Sequence, residues 1–151
     1  MILDLLHEID QTRRLFGEFD RVHAHAGHFS SLEIEAEDTA CILLGRPVAH
    51  PAASIALDYV SRRRVRRYAI VGEADTTVWG LDAAKLRLMR KHADENVDGG
   101  PDGFPVRPTY VRTVQIFLES VESRGCVPQD VRDGLRSTAL PLRAKEAAAR
   151  T

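Results

Sequence analysis

Residues 67–81, RYAIVGEADTTVWGL, carry the pattern that most narrows what this chain can fold into. Two short runs, Arg67–Gly72 and Thr76–Leu81, flank the turn GEAD. Side chains alternate across a strand, so Tyr68 and Ile70 fall on one face while Ala69 and Val71 fall on the other. A strand that is apolar on both faces needs cover on both. Helices can cover one side, and a second subunit is the simplest cover for the other. The expected class is α+β: a mostly antiparallel open sheet with helices packed on one face and the other face a subunit interface. Residues 1–151 are expected to form one domain.

The remaining elements fit that plan. Leu5, Ile9, Thr12 and Phe16 follow a helical stripe from about Asp4 to Phe16, and Gly17 closes it as a C-terminal glycine does. Phe19–Gly27 reads as a strand. Leu32–Glu37, LEIEAE, alternates without a break and reads as a half-buried strand or an extended approach to one. Thr39–Leu44 and Ala53–Val60 read as strands, separated by the proline-bearing loop Gly45–Pro51. Lys85–Arg90 reads as a strand or a helical turn, and His92–Pro108 as a loop rich in Asp, Gly and Pro. Tyr110–Glu122 has the stripe Tyr110, Val114, Phe117, Leu118 and Val121 and reads as a helix stopped at Gly125. Gln129 or Asp130 can cap a last helix, which Pro141 should kink or split.

Charge and cysteine usage exclude some functions. The net charge is −1, so no overall field points to nucleic acid or a membrane surface. The run Arg62–Arg67, RRRVRR, is the local exception; it reads as a phosphate patch or, leading into an apolar strand, as a solvated strand end. Cys41 sits in the apolar run TACILL and reads as a small core residue; with Cys126 it points to reduced thiols and a cytoplasmic protein. No signal peptide and no bilayer-spanning run is expected.

Two groups of residues carry candidate chemistry. Asp4, His7 and Asp10 stand at three-residue spacing on the first helix, where residues three apart are neighbours. A carboxylate beside an imidazole fixes its tautomer and suits acid/base work. The same acids also suit the first turn of a helix for electrostatic reasons alone. His23, His25 and His28 form H-x-H-x-x-H, a spacing that can hold zinc, although no fourth ligand is fixed nearby. Metal-free strand histidines are the alternative.

Several segments resemble the C-terminal domain of the Gfo/Idh/MocA family of NAD(P)-dependent sugar and polyol dehydrogenases. DLLHEIDQTRRLFGE resembles the segment that opens that domain, and Ala26–Ala40, AGHFSSLEIEAEDTA, its E-D-T-A strand segment. LDYV at 57–60, YAIVGEADTTVW at 68–79 and DGLR at 133–136 follow in the family's order. The resemblance implies catalytic His7, with Asp4 tuning or orienting it, and Asp10 and His28 as substrate contacts. In such an enzyme a nicotinamide accepts hydride from a secondary alcohol while a base removes the hydroxyl proton. The family's dinucleotide-binding half, with its glycine-rich turn and lysine-bearing E-K-P segment, has no counterpart in these residues; there is no G-x-G-x-x-G. The resemblance therefore implies a C-terminal half that binds no cofactor alone. NAD or NADP would belong to an intact enzyme. A sugar-like small molecule, a second copy and a separate Rossmann-domain chain are the implied partners, with no nucleic acid and no membrane. A non-catalytic oligomerisation or binding module is the competing reading.

Overall fold

The computed structural model describes residues 1–47, 51–81, 85–98 and 105–150. Parts of the expected loops Gly45–Pro51 and His92–Pro108 lie outside them. The class is α+β: the described residues form three helices and two open antiparallel sheets, and the chain divides into two compact units.

The first unit comprises residues 1–60 and 128–151. It holds α1 (Leu6–Phe16), β1 (Arg21–Gly27), β2 (Thr39–Gly45), β3 (Ala53–Asp58) and the last helix, Val131–Ala148. The strands pair in the order β1-β2-β3. Ala24 lies opposite Ile42, which lies opposite Ile55; Ala26, Ala40 and Leu57 form the next row. This inward face meets Ile9 of α1 and Leu140 and Ala144 of the last helix, and Phe19, Ile9 and Ile42 are fully buried. The opposite parity puts His23, Leu43 and Ser54 in one outward row and His25, Cys41 and Ala56 in the next. Cys41 is thus exposed, not a core residue. Its apolar neighbours Ala40 and Ile42 point inward, and alternation sends the residue between them out.

α1 stops where Gly17 takes φ +82°, a region that disfavours side chains. Arg46 then donates to the carbonyls of Phe16 and Glu18, while its guanidinium lies 5.4 Å from the Phe19 ring centroid. Arg143 donates to the carbonyls of Phe19 and Asp20. Two arginines thereby donate to four carbonyls of the corner between α1 and β1, of which that of Phe16 is one of the carbonyls a helix end leaves without an intrahelical partner.

Leu32–Glu37 is not a strand. The fully buried Asp38 carboxylate accepts from the N–H groups of Phe29 and Ser30 and from the Ser30 hydroxyl, which folds the segment into a loop. Among the described residues no strand pairs with it, and Leu32 and Ile34 stay exposed.

The second unit comprises Ser61–Val127. β4 (Arg67–Val71), β5 (Asp75–Gly80), β6 (Lys85–Arg90) and β7 (Asp94–Asp98) pair in sequence order, and α2 (Arg107–Ser123) follows. With α2 placed, the last helix is α3. The GEAD turn closes through Gly72 N–H to the Asp75 carbonyl at 2.9 Å. Tyr68 and Trp79 face each other across β4 and β5 with centroids 5.3 Å apart, and the Arg66 guanidinium lies within 6 Å of both rings. One arginine of RRRVRR is therefore held on aromatic faces. β7 falls inside the segment expected to be a loop. Its residues DENVD have no strand-like apolar pattern, but Arg87 pairs with Asp94 and Arg90 with Glu95 across the ladder.

α2 ends at Arg124, which takes the left-handed conformation (φ 51°) one residue before the expected stop at Gly125. α3 is capped by Asp130, which accepts from the Asp133 N–H at 2.8 Å. It runs unbroken through Pro141, contrary to a split. Leu140, Pro141 and Ala144 are all buried, and that packing on either side offsets the one missing N–H donor. No described helix is long and apolar enough to cross a membrane.

Candidate functional site

The candidate residues at the start of the chain do not share a helix face. α1 begins at Leu6, so Asp4 lies in the preceding turn, where the N–H groups of Asp4 and Leu5 donate to the Met1 carbonyl. The three-residue neighbour rule holds inside a helix and fails across its boundary. Asp4 accepts instead from the Tyr59 hydroxyl at 2.8 Å and lies 3.7 Å from the amino terminus. His7 Nε2 stands 3.1 Å from Glu8 Oε1. Asp4 is 73% exposed and His7 50%. The imidazole is therefore open to solvent with a carboxylate beside it.

Tyr59 follows directly on β3 and ties this region together. Its N–H donates to the Asp38 carbonyl at 2.9 Å while its hydroxyl holds Asp4. Burial, then the hydrogen bond to Asp4 and the charges of Asp4 and Glu37, raise its phenol above the ordinary tyrosine value. Glu37 accepts from the Ile2 N–H at 3.0 Å. Burial alone would raise the Glu37 carboxyl, but N–H donors from Glu37 itself and Ile2, and the amino terminus, outweigh it and hold the pKa down. Neither Tyr59 nor Glu37 is among the residues the sequence singled out. Both lie in segments that carry the family resemblance, which was the available signal.

His28 sits beyond the end of β1, with Nδ1 3.3 Å from the Ala36 carbonyl and Nε2 3.9 Å from Asp38 Oδ2. The Ser30 hydroxyl and Phe29 N–H hold the Asp38 carboxyl well below the usual carboxylate range, against the opposing effect of burial. Asp38 thus links His28 to Tyr59, and through Tyr59 to Asp4. His23 and His25 share the outward face of β1, and His25 stacks on Phe29 with centroids 5.7 Å apart. Among the described residues no three His, Cys, Asp or Glu side chains are grouped to hold a metal.

Asp10 occupies a different place. Its Oδ1 accepts from Arg13 Nε at 3.0 Å and Ser137 Oγ at 2.7 Å, and its Oδ2 from Arg14 Nε at 2.9 Å. Burial would raise its pKa, but the hydrogen bonds from Ser137, Arg14 and Arg13 outweigh burial and lower it. Arg13, 6% exposed, also donates to Glu18 and, across to α3, to Asp133 and Ser137. Both Asp10 oxygens are therefore committed to the joint between α1 and α3.

The described helix N-termini do not fit a dinucleotide pyrophosphate. A bound pyrophosphate needs free N–H groups behind a glycine-rich turn. The residues capping α1 and α2 are Leu5 and Val106, and α3 opens with the carboxylates of Asp130 and Asp133, the first already bonded to an N–H of that turn.

No family model and no curated protein matches the sequence. Solved structures do match the fold. An oxidoreductase from Agrobacterium radiobacter, in complex with NAD+, L-tartaric acid and magnesium, aligns over 95% of this chain and 45% of its own, with a TM-score of 0.78 and 19% identity. UDP-N-acetylglucosamine 3-dehydrogenase GnnA from Acidithiobacillus ferrooxidans aligns over 95% and 45%, with a TM-score of 0.75 and 22% identity. The WlbA dehydrogenase from Bordetella pertussis, in complex with NADH and UDP-GlcNAcA, aligns over 97% and 44%, with a TM-score of 0.69 and 21% identity. At these identities the likeness is one of fold, and the chain spans a little under half the length of each protein.

Proposed function

We propose that this chain is the substrate-binding half of an NAD(P)-dependent sugar or polyol dehydrogenase of the Gfo/Idh/MocA type, and that it transfers no hydride by itself. The observation that carries this reading is the extent of the fold match: nearly all of this chain on under half of each oxidoreductase. The segments quoted for the family resemblance support it. In this reading His7 takes or returns the hydroxyl proton of a secondary alcohol. Tyr59 fixes Asp4 at the mouth of the site, and His28, seated beside Asp38, contacts the substrate. Asp10 acts at one remove, holding α1 in place against α3. The dinucleotide must come from another polypeptide segment, because the helix ends here offer no cradle for its phosphates.

Two measurements test the reading. Purified chain mixed with sugars or polyols and NAD or NADP should give no absorbance change at 340 nm. Turnover by the isolated chain that disappears in His7→Ala would refute the proposed dependence on another half. Binding is tested separately: titration with UDP-sugars or polyols should shift the NMR signals of the His7 and His28 imidazoles. Unmoved signals across such a panel would sink the substrate role.

A second reading, a non-catalytic oligomerisation module, is favoured by the outward face of the first sheet, where Leu43 is 58% exposed beside Ala56 and Cys41. In either reading this face pairs with a second copy. Leu43→Arg should then lower the molecular mass measured in solution.

A further inference from the structure

The apolar stripe of α2 has a symmetry of its own. None of its side chains is buried, and Tyr110, Val111, Val114, Phe117, Leu118 and Val121 are 51–70% exposed. At 100° per residue these six fall within about 120° of the helix circumference. Around Val114 they stand at offsets of −4, −3, +3, +4 and +7. The inner four are mirror-placed, as a two-fold axis through Val114 requires: Tyr110 would meet Leu118 of a second copy, Val111 would meet Phe117, and Val114 would meet Val114.

The charges have the same antisymmetry. The first turn of α2 carries Arg107 and no acid, and the last turn carries Glu122 and no base. Each is on the wrong end for the helix's own dipole, which favours acids at the start and bases at the finish. The two are about 22 Å apart along the axis, too far to pair within one helix. An antiparallel neighbour reverses the relation: each Arg107 then lies at the level of the partner's Glu122. Arg112 and Glu119 already pair with each other at 3.0 Å on the opposite side of the helix, so neither adds charge to the stripe, whose one charged member is Arg107 at its first turn.

We infer that α2 pairs with α2 of a second copy of this chain, antiparallel, with the two-fold axis at Val114. The inference does not rest on the proposed enzymatic role or on pairing through the first sheet. Two expectations define it. In full-length chain carrying Cys41→Ser and Cys126→Ser, Val114→Cys forms a covalent dimer on mild oxidation, while Arg112→Cys on the far side does not. In sedimentation equilibrium, Arg107→Glu and Glu122→Arg each weaken self-association, by about tenfold for the loss of two symmetry-related pairs. The two changes combined in one chain restore it, because the antiparallel pair regains opposite charges.

A folded variant Val114→Arg, checked by circular dichroism, should raise the dissociation constant about a hundredfold or more, since two like charges then meet at the axis. The inference is overturned by a monomeric chain that gives no Val114→Cys cross-link, which would assign the stripe to a different polypeptide. It is also overturned by cross-linking that is equal at positions 114 and 112, by a double charge swap that does not restore association, or by a dimer dissolved by Leu43→Arg but untouched by Val114→Arg.

Discussion

Arg13→Ala should cost this protein about 3 kcal/mol at neutral pH, most of it from the joint between α1 and α3. Arg13 is 6% exposed and reaches three carboxylates: Asp10 at 2.9 Å, Asp133 at 2.8 Å and Glu18 at 3.0 Å. Glu18 is 55% exposed and would resolvate, so its pair contributes at most about 1 kcal/mol. Asp10 and Asp133 are 18% and 22% exposed, and both keep Arg14 as a partner after the substitution. Removing one member of a buried ionic cluster typically costs 3–5 kcal/mol, and the surviving Arg14 contacts favour the lower end, about 3 kcal/mol. Arg13→Met, which keeps an apolar stem in place, should lose about 1 kcal/mol less, separating lost charge from lost packing. The assay is urea denaturation followed by circular dichroism at 222 nm, because α1 and α3 both belong to the affected unit. Fluorescence is the wrong probe, since the one tryptophan, Trp79, lies in β5 of the other unit.

The pH dependence supplies a second check on the same variant. Hydrogen bonds from Arg13 and Arg14 lower the Asp133 carboxyl, and those from Ser137, Arg14 and Arg13 lower Asp10 against the effect of burial. Carboxyls depressed in the folded state stabilise it above their unfolded value, near 3.8, and that contribution is lost as pH falls through the folded value. The gap between wild type and Arg13→Ala should therefore be full at pH 7 and shrink below about pH 4. A gap under about 0.5 kcal/mol at pH 7, or one that does not change with pH, would refute the reasoning.

Two further predictions concern neighbouring positions. Asp4→Asn should lower the ionisation midpoint of Tyr59, read from the phenolate absorbance difference against Tyr59→Phe, because it removes the carboxylate that disfavours the phenolate; an unchanged midpoint would mean the contact is absent in solution. Gly17→Ala should destabilise by about 1–3 kcal/mol in the same urea assay, because φ is +82° and the added carbon would meet the Arg46 guanidinium at 2.6 Å. A neutral result there would show that the corner between α1 and β1 can rearrange.

How far the sequence discloses this molecule depends on whether a pattern is set by burial or by one polar contact. α1, β1, β2 and β3 are legible because each buries one stripe or one parity of residues, and burial imposes a period. Leu32–Glu37 has a cleaner alternation than any of those strands, but its backbone bonds locally, Leu32 N–H to the Ser30 hydroxyl and Ile34 N–H to the Leu32 carbonyl, and not to a described strand. Asp38 gathers the amides of Phe29 and Ser30 instead, and no local pattern announces that. β7 is the converse case: a polar segment becomes an edge strand whose Asp94 and Glu95, opposite Met89 and Leu88, pair diagonally with Arg87 and Arg90 of β6. Cys41 shows the limit of reading a run as a whole, since its apolar neighbours are buried by the same alternation that exposes it.

The candidate site follows the same division. His7 and Asp4 are recognisable as residue types, but whether they meet depends on where α1 begins, and a helix start without a side-chain cap leaves little trace in sequence. With Leu6 as the first helical residue, Asp4 is handed to Tyr59, fifty-five positions away. Asp10, at the same spacing on the other side of His7, is inside the helix and turns toward Arg13, Arg14 and Ser137. One short segment thus serves two purposes. Its first turn presents an exposed imidazole and a tethered carboxylate, and its middle clamps α1 to α3 so that this turn stays in register with the end of β3. The division makes the two roles separable by experiment: loss of Arg13 should lower the urea midpoint, while loss of His7, half exposed and outside the ionic joint, should leave that midpoint unchanged and, under the proposed function, affect only substrate binding and proton transfer.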